Sequence, residues 1–117
     1  MHVNGLGNKF CESDESVIAS ARECLTPMFD VPGRGCEIMP VFSSGQSAKQ
    51  APGTYRALGT TDLIFAAGGG VMAHPGGVGA GVRALRQAWE AAARDVPIGD
   101  YAQTHAELRQ ALETFQA

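Results

Sequence analysis

No run of apolar residues in this chain approaches the roughly 20 that a bilayer-spanning helix needs, so a membrane span is not expected. The first residues, Met1-His2-Val3-Asn4-Gly5, carry neither a basic stretch nor an apolar one, so no secretory signal is read there. Basic residues are few: 9 Lys and Arg stand against 12 Asp and Glu, a net charge of -3. That balance leaves no electrostatic footprint for nucleic acid or an anionic membrane surface. Cysteine is scarce and odd in number, at Cys11, Cys24 and Cys36. A disulfide framework is not expected, and free thiols fit a reducing cytoplasm. There is no CxxC or HxxxH pair, so the usual spacing of a Cys–His metal site is missing. At 117 residues the chain is one domain's worth, too short for a full (β/α)8 barrel of about 250. Hydrophobic residues make up 44% and charged ones 18%, which implies a packed core rather than disorder.

What the chain does have is glycine, 15 residues of it, in groups: Gly5 and Gly7, Gly33 and Gly35, Gly68 to Gly70, then Gly76, Gly77, Gly79 and Gly81. These groups punctuate apolar segments as βα loops do. Val3 ends an extended segment. A helix is expected over about 14–25, with Ser13 or Asp14 as cap and Val17, Ile18, Ala21, Cys24 and Leu25 on one face. A short buried strand is expected over 38–42, with Pro40 unusual inside it. A helix over about 51–58 has Pro52 in its first turn and Gly59 at its end. Leu63 to Ala67 reads as a strand covered on both faces. A long helix over 77–94 places Val78, Val82, Leu85, Trp89 and Ala92 on one side. A last amphipathic helix is expected over 100–116, capped by Asp100, with Leu108, Leu112 and Phe115 on its stripe.

Alternating strands, loops and helices predict an α/β fold with a parallel sheet. In such sheets the chemistry gathers at the carboxyl ends of the strands. That brings Asn4 to Lys9, Ser43 to Gln46 and Gly68 to Val71 to one rim. Bare backbone at a strand-to-helix junction lets N–H groups approach an anion. By pattern alone, Gly68-Gly69-Gly70 serves a phosphate site or a tight turn equally well. Ser43 and Ser44 alone read as strand-end capping groups, and Lys9 alone as a solvated loop lysine. His74 reads as structural or supporting, His105 as a surface residue, and Glu12, Asp14 and Glu15 as helix-start charges. Nothing near Cys11 except Lys9 would activate a thiol, so it is not read as catalytic. The GxGxxG dinucleotide pattern is not matched.

Three segments together resemble a family. They are His2-Val3-Asn4-Gly5 with Lys9 seven residues after His2, then Val41-Phe42-Ser43-Ser44-Gly45-Gln46, then Gly68-Gly69-Gly70-Val71-Met72-Ala73-His74-Pro75. In order and spacing they are similar to the C-terminal part of the ribulose bisphosphate carboxylase (RuBisCO) large chain, and in detail to its form IV, the RuBisCO-like proteins. Ser-Ser-Gly-Gln stands where carboxylases carry Ser-Gly-Gly, and Val-Met-Ala-His-Pro where they carry Thr-Leu-Gly-His-Pro. The resemblance implies the last portion of a TIM (β/α)8 barrel, about strands 6–8 with their helices, plus a C-terminal helix. The units would be 1–25, 37–58, 62–94 and 100–116.

It also implies roles. Lys9, on a mobile loop, would stabilise developing negative charge. His2 and Ser43 would bind substrate. Ser44, Gly45, Gly68 and Gly69 would hold a phosphate, with Ser44 adding a hydroxyl that carboxylases lack there. The whole protein would use magnesium, held outside this segment; none is expected to bind here. The implied chemistry is enediolate formation from a phosphorylated keto-sugar or sugar acid, of the kind performed by a 3-oxo-isoapionate 4-phosphate decarboxylase. Alternatives within the family are a 5-methylthioribulose-1-phosphate isomerase, a diketo-methylthiopentyl-phosphate enolase and true carboxylation. A non-catalytic partial barrel is the reading from another class. Its open sheet edges would favour a homodimer or a larger homo-oligomer, and a fragment without its metal centre is expected to be inactive.

Overall fold

A computed structural model describes residues 2–7, 12–26, 39–43 and 45–115. Three short strands, β1 (His2–Asn4), β2 (Val41–Ser43) and β3 (Ile64–Phe65), form a parallel sheet in the order β1-β2-β3. His2 pairs with Val41, Asn4 with Ser43, and Phe42 with Phe65. Parallel pairing needs a crossover between neighbours, and helices supply it. α1 (Asp14–Leu25) follows β1, and α2 (Ala51–Leu58) follows β2 after a single 3₁₀ turn, Ala48–Gln50. After β3 come α3 (Gly68–Met72), α4 (Val78–Ala93), α5 (Ile98–Ala102) and α6 (Ala106–Thr114). Among the described residues no helix is long and apolar enough to cross a membrane.

Local chemistry sets the element ends. The Ser13 side chain accepts the Ser16 N–H and so caps α1, whose first turn carries Asp14 and Glu15. Ser47 and Gln50 form a reciprocal capping box ahead of α2, and Gly59 ends that helix in the left-handed region at φ 68°. The expected strand over 38–42 begins instead at Val41; Ile38 lies outside the described residues. Pro40 has no N–H to give the ladder, but its carbonyl accepts from Ile64 N at 2.9 Å, so it stands at the strand's threshold.

Side chains alternate across the sheet. Val3 and Phe42 are buried on the helix-covered face with Val17 and Ala21, flanked by Phe65 and Leu58. The other face carries His2, Asn4, Val41, Ser43 and Ile64, and Ile64 is 50% exposed. Among the described residues only one face of β3 has a helix layer.

A second core lies among the helices. Ala48, Ala51, Ala84, Ala88, Ala102, Leu108 and Ala111 are buried there, with Trp89 at its margin. The Trp89 ring meets Phe65 edge-on at 5.3 Å and Tyr55 at 6.5 Å, joining the two cores. The inward stripe of α4 is Ala80, Gly81, Ala84, Ala88 and Ala91, while Val78 and Val82 are more than half exposed. Of the expected stripe, Leu85 and Trp89 pack against this core, while Val78 and Val82 do not. Small residues let α2, α3 and α6 approach α4 closely, a requirement that outweighs the greater burial value of the valines.

The terminal segment is two helices rather than one. Asp100 lies inside α5 and is not a cap, and the chain turns at Gln103 to His105 before α6. His105 is half-buried rather than a surface residue, its ring stacked on Tyr101 at 3.9 Å. His105 gives α6 no side-chain cap. Gln87 of α4 does so from a distance, accepting the Leu108 N–H at 3.0 Å and donating to the Glu107 carboxylate at 3.2 Å. The Glu107 carboxyl is held below the usual range by its own backbone N–H, then by Gln87 and Arg83, against some desolvation. A depressed carboxyl contributes stability above its unfolded value, about 4.3, and loses it as pH falls through its folded value. Gln87→Ala is expected to raise the Glu107 midpoint in a carboxyl-carbon NMR titration and to shrink the acid-side loss of stability. An unchanged midpoint would remove Gln87 from the anchoring of α6.

Candidate functional site at the carboxyl rim

Because the strands are parallel, their carboxyl ends share one rim. There the loops after β1, β2 and β3 touch one another through Gln46, which is 3% exposed. Its amide donates to the Leu6 carbonyl at 3.0 Å and lies directly over Gly5, leaving no room for a side chain there. On the other side, a Cβ at Gly70 would lie 2.5 Å from the Gln46 carbonyl oxygen and 2.9 Å from Ser47 Cα. Gln46 is thus the junction of three loops, a role invisible in sequence because both its neighbours across the rim are glycines far away in the chain.

The triple glycine divides into two kinds of position. Gly70 is required by packing against Gln46 and Ser47. At Gly68 and Gly69 a Cβ would meet no described protein atom within 4 Å, and neither has a positive φ. Neither packing nor backbone conformation among the described residues explains why these two are bare. Both sit in the first turn of α3, where N–H groups have no partner within the helix, and Ala67 supplies no side-chain cap. Gly45, at the end of β2, adopts φ 70°, which glycine tolerates without strain. The contact of Gly70 with Gln46 brings the segment after Gly45 against the glycine helix. Ser44 and Lys9 lie outside the described residues.

At the β1 side of the rim, His2 Nδ1 is 3.4 Å from Ser43 Oγ. Together with Asn4, Glu12 and Ser20 they line a recess of ≈ 210 Å³. The register explains the meeting: His2, Asn4 and Ser43 project from the same face of adjacent strands. Glu12 is not a helix-start charge. It accepts from Asn4 Nδ2 at 2.6 Å and from the Ser16 hydroxyl at 2.8 Å, so it braces the end of β1 against α1. Asp14 keeps the expected place in the first turn and accepts the Gly7 N–H at 3.0 Å. His74 is 4% exposed and doubly hydrogen-bonded, in line with a structural or supporting part. Among the described residues no group of three His, Cys, Asp or Glu side chains is placed to hold a metal ion. The described residues therefore do not by themselves make up a magnesium centre.

Parallel strands, each followed by helix, with unexplained bare backbone at one rim, define a βα-repeat segment of the α/β class with its candidate site at the carboxyl ends. The chain belongs to the ribulose bisphosphate carboxylase large-chain family: residues 1–115 match that family's catalytic domain. It is 47% identical over 97% of its length to a 3-oxo-isoapionate-4-phosphate decarboxylase of Rhizobium rhizogenes, covering 26% of that protein. It is 53% identical over 96% of its length to a 3-oxo-isoapionate-4-phosphate transcarboxylase/hydrolase of Xanthobacter autotrophicus, covering 27% of it. Among solved structures, a rubisco-like protein from Burkholderia fungorum superposes with a TM-score of 0.91 at 48% identity, over 97% of this chain and 28% of that one. An octameric RuBisCO from Pyrococcus horikoshii OT3 gives 0.83 at 30% identity, over 98% and 27%. The chain thus spans about a quarter of the length of the curated relatives it matches.

Proposed function

We propose that this chain forms the phosphate-binding rim of a RuBisCO-like enzyme acting on a phosphorylated branched sugar acid, with decarboxylation of 3-oxo-isoapionate 4-phosphate as the reaction it serves. The observation that carries the reading is the open space at Gly68 and Gly69, two bare N–H groups that no protein atom requires to be bare. A phosphate monoester suits that place: it presents several acceptor oxygens to the first turn of a helix, where N–H groups and the helix dipole favour an anion. Two curated relatives carry 3-oxo-isoapionate-4-phosphate in their names, and this supports the choice of substrate.

On this reading β1, β2 and β3 are the last three strands of the barrel. Gly45, with Ser44, completes the anion cradle. Ser43 donates to or accepts from a substrate hydroxyl, and His2, within reach of Ser43, binds the far end of the substrate. Lys9 brings its ammonium to the charge that develops as the carboxyl group leaves. Magnesium, which would polarise the keto oxygen, is assigned to ligands outside this segment. The reaction therefore belongs to the whole enzyme in the cytoplasm. The face with Ile64 would then line the barrel interior, and the open edges of the three-stranded sheet favour assembly with further protein surface, a homo-oligomer included.

The test is a sulfate or phosphate soak of the crystallised chain. Density between Gly45 and the Gly68–Gly69 N–H groups is expected. Density at another helix start, with this cradle empty, would overturn the reading.

A further inference from the structure

We propose that His74 is a positioning residue: it ties the glycine helix α3 to the terminal helix α6, so that the rim and the chain's last helix hold or loosen together. Its consequence for anion binding rests on the reading of Gly68 and Gly69 given above.

The ring's partners decide its state. Nδ1 lies 2.9 Å from the Gly76 N–H, which can only donate, so Nδ1 carries the lone pair. Nε2 lies 2.8 Å from the Glu107 carbonyl oxygen, which can only accept, so Nε2 carries the proton. A second proton on Nδ1 would face another N–H, lose that bond and place a charge on a side chain that is 4% exposed. The bond to Glu107 joins positions 33 residues apart.

Both ends of this tie are otherwise dependent on tertiary contacts. α6 has no cap of its own; Gln87 and Arg83 of α4 hold its start, Arg83 Nε lying 3.3 Å from the Glu107 carboxylate. α3 is only five residues long, and Gly70 seats it against Gln46 and Ser47. Only Ala73 separates His74 from α3, so its bond to Glu107 joins the glycine turn directly to α6, beside the packing of both helices on α4.

The test uses amide NMR of the 117-residue chain, with sulfate as the anion because its charge is constant between pH 5 and 8. His74→Asn keeps an acceptor for the Gly76 N–H, as an Asx turn ahead of Pro75, but its shorter side chain does not reach Glu107. At pH 7.5 we expect this variant to lose about tenfold of the hydrogen-exchange protection of Leu108 to Leu112, the scale of one buried hydrogen bond. The Gly68 and Gly69 amides should shift at the same time. A purely local turn role would leave α6 untouched in the variant, and that result overturns the proposal. Sulfate separates the two readings. If it leaves Gly68 and Gly69 unmoved in the parent chain, the anion site fails, while the linked response of α3 and α6 to His74→Asn still decides the tie.

Discussion

Gly81→Val is expected to cost about 3 kcal/mol or more, the upper range for overpacking a close contact. A Cβ at this position would overlap the Val71 carbonyl oxygen and lie 2.9 Å from Val71 Cα. Those atoms are backbone, so no rotamer change can relieve the clash; α3 must move off α4. Because Gly70 also seats α3 against Gln46 and Ser47, the displacement would disturb the rim as well. For a chain of this size the loss corresponds to a fall in melting temperature of about 10 °C or more. Gly79→Ala is the matched control on the same helix. Its Cβ would meet only the Arg83 guanidinium at 3.7 Å, so it should gain about 0.5–1 kcal/mol from helix propensity. Thermal melts of the three chains decide the matter. A Gly81→Val chain that melts with the parent would show that the α3–α4 contact is not formed in solution.

Gly69→Ala should leave the fold intact and weaken sulfate or phosphate binding at least about tenfold, which is about 1.4 kcal/mol. Gly68→Ala should act alike. The triple glycine is asymmetric. At the first two positions the methyl group meets no described atom within 4 Å, so on the phosphate reading it would meet the anion. At Gly70 the same methyl meets the Gln46 carbonyl and Ser47, so Gly70→Ala is expected to destabilise the fold. Titration followed at the Gly45 and Gly69 amides, with a thermal melt of each variant, separates binding from stability. Unchanged affinity in both Gly68→Ala and Gly69→Ala would leave the bare backbone without a function and sink the phosphate reading.

Much of the scaffold was legible because local chemistry declares it. Ser13, Pro52 and Gly59 marked helix ends that the structure keeps, and the apolar face of α1 was read correctly at Val17, Ala21 and Cys24. Parallel pairing followed from the βα rhythm, and the meeting of three loops at one rim followed from parallel pairing. The errors occurred where long-range packing overrides local preference. Hydrophobicity favoured Val78 and Val82 as the inner face of α4, but close helix approach selects alanine and glycine. The break between α5 and α6 carries no glycine or proline, since Gln87 caps α6 across space. Glu12 looked like a helix-start charge because its partner Asn4 belongs to the preceding strand.

The sequence by itself determined the family and the alternation of strand and helix. These depend on side-chain periodicity, on caps and turns, and on motif order, all of which are local or linear. Only the tertiary structure decided that helices pack on the Val3 and Phe42 face of the sheet, that Gln46 joins three loops, and that Gly70 serves packing while no described atom lies within 4 Å of a Cβ at Gly68 or Gly69. It alone decided that His74 reaches Glu107. Such facts depend on distances between segments far apart in the chain, and a string of residues does not state where a missing Cβ would have met another backbone.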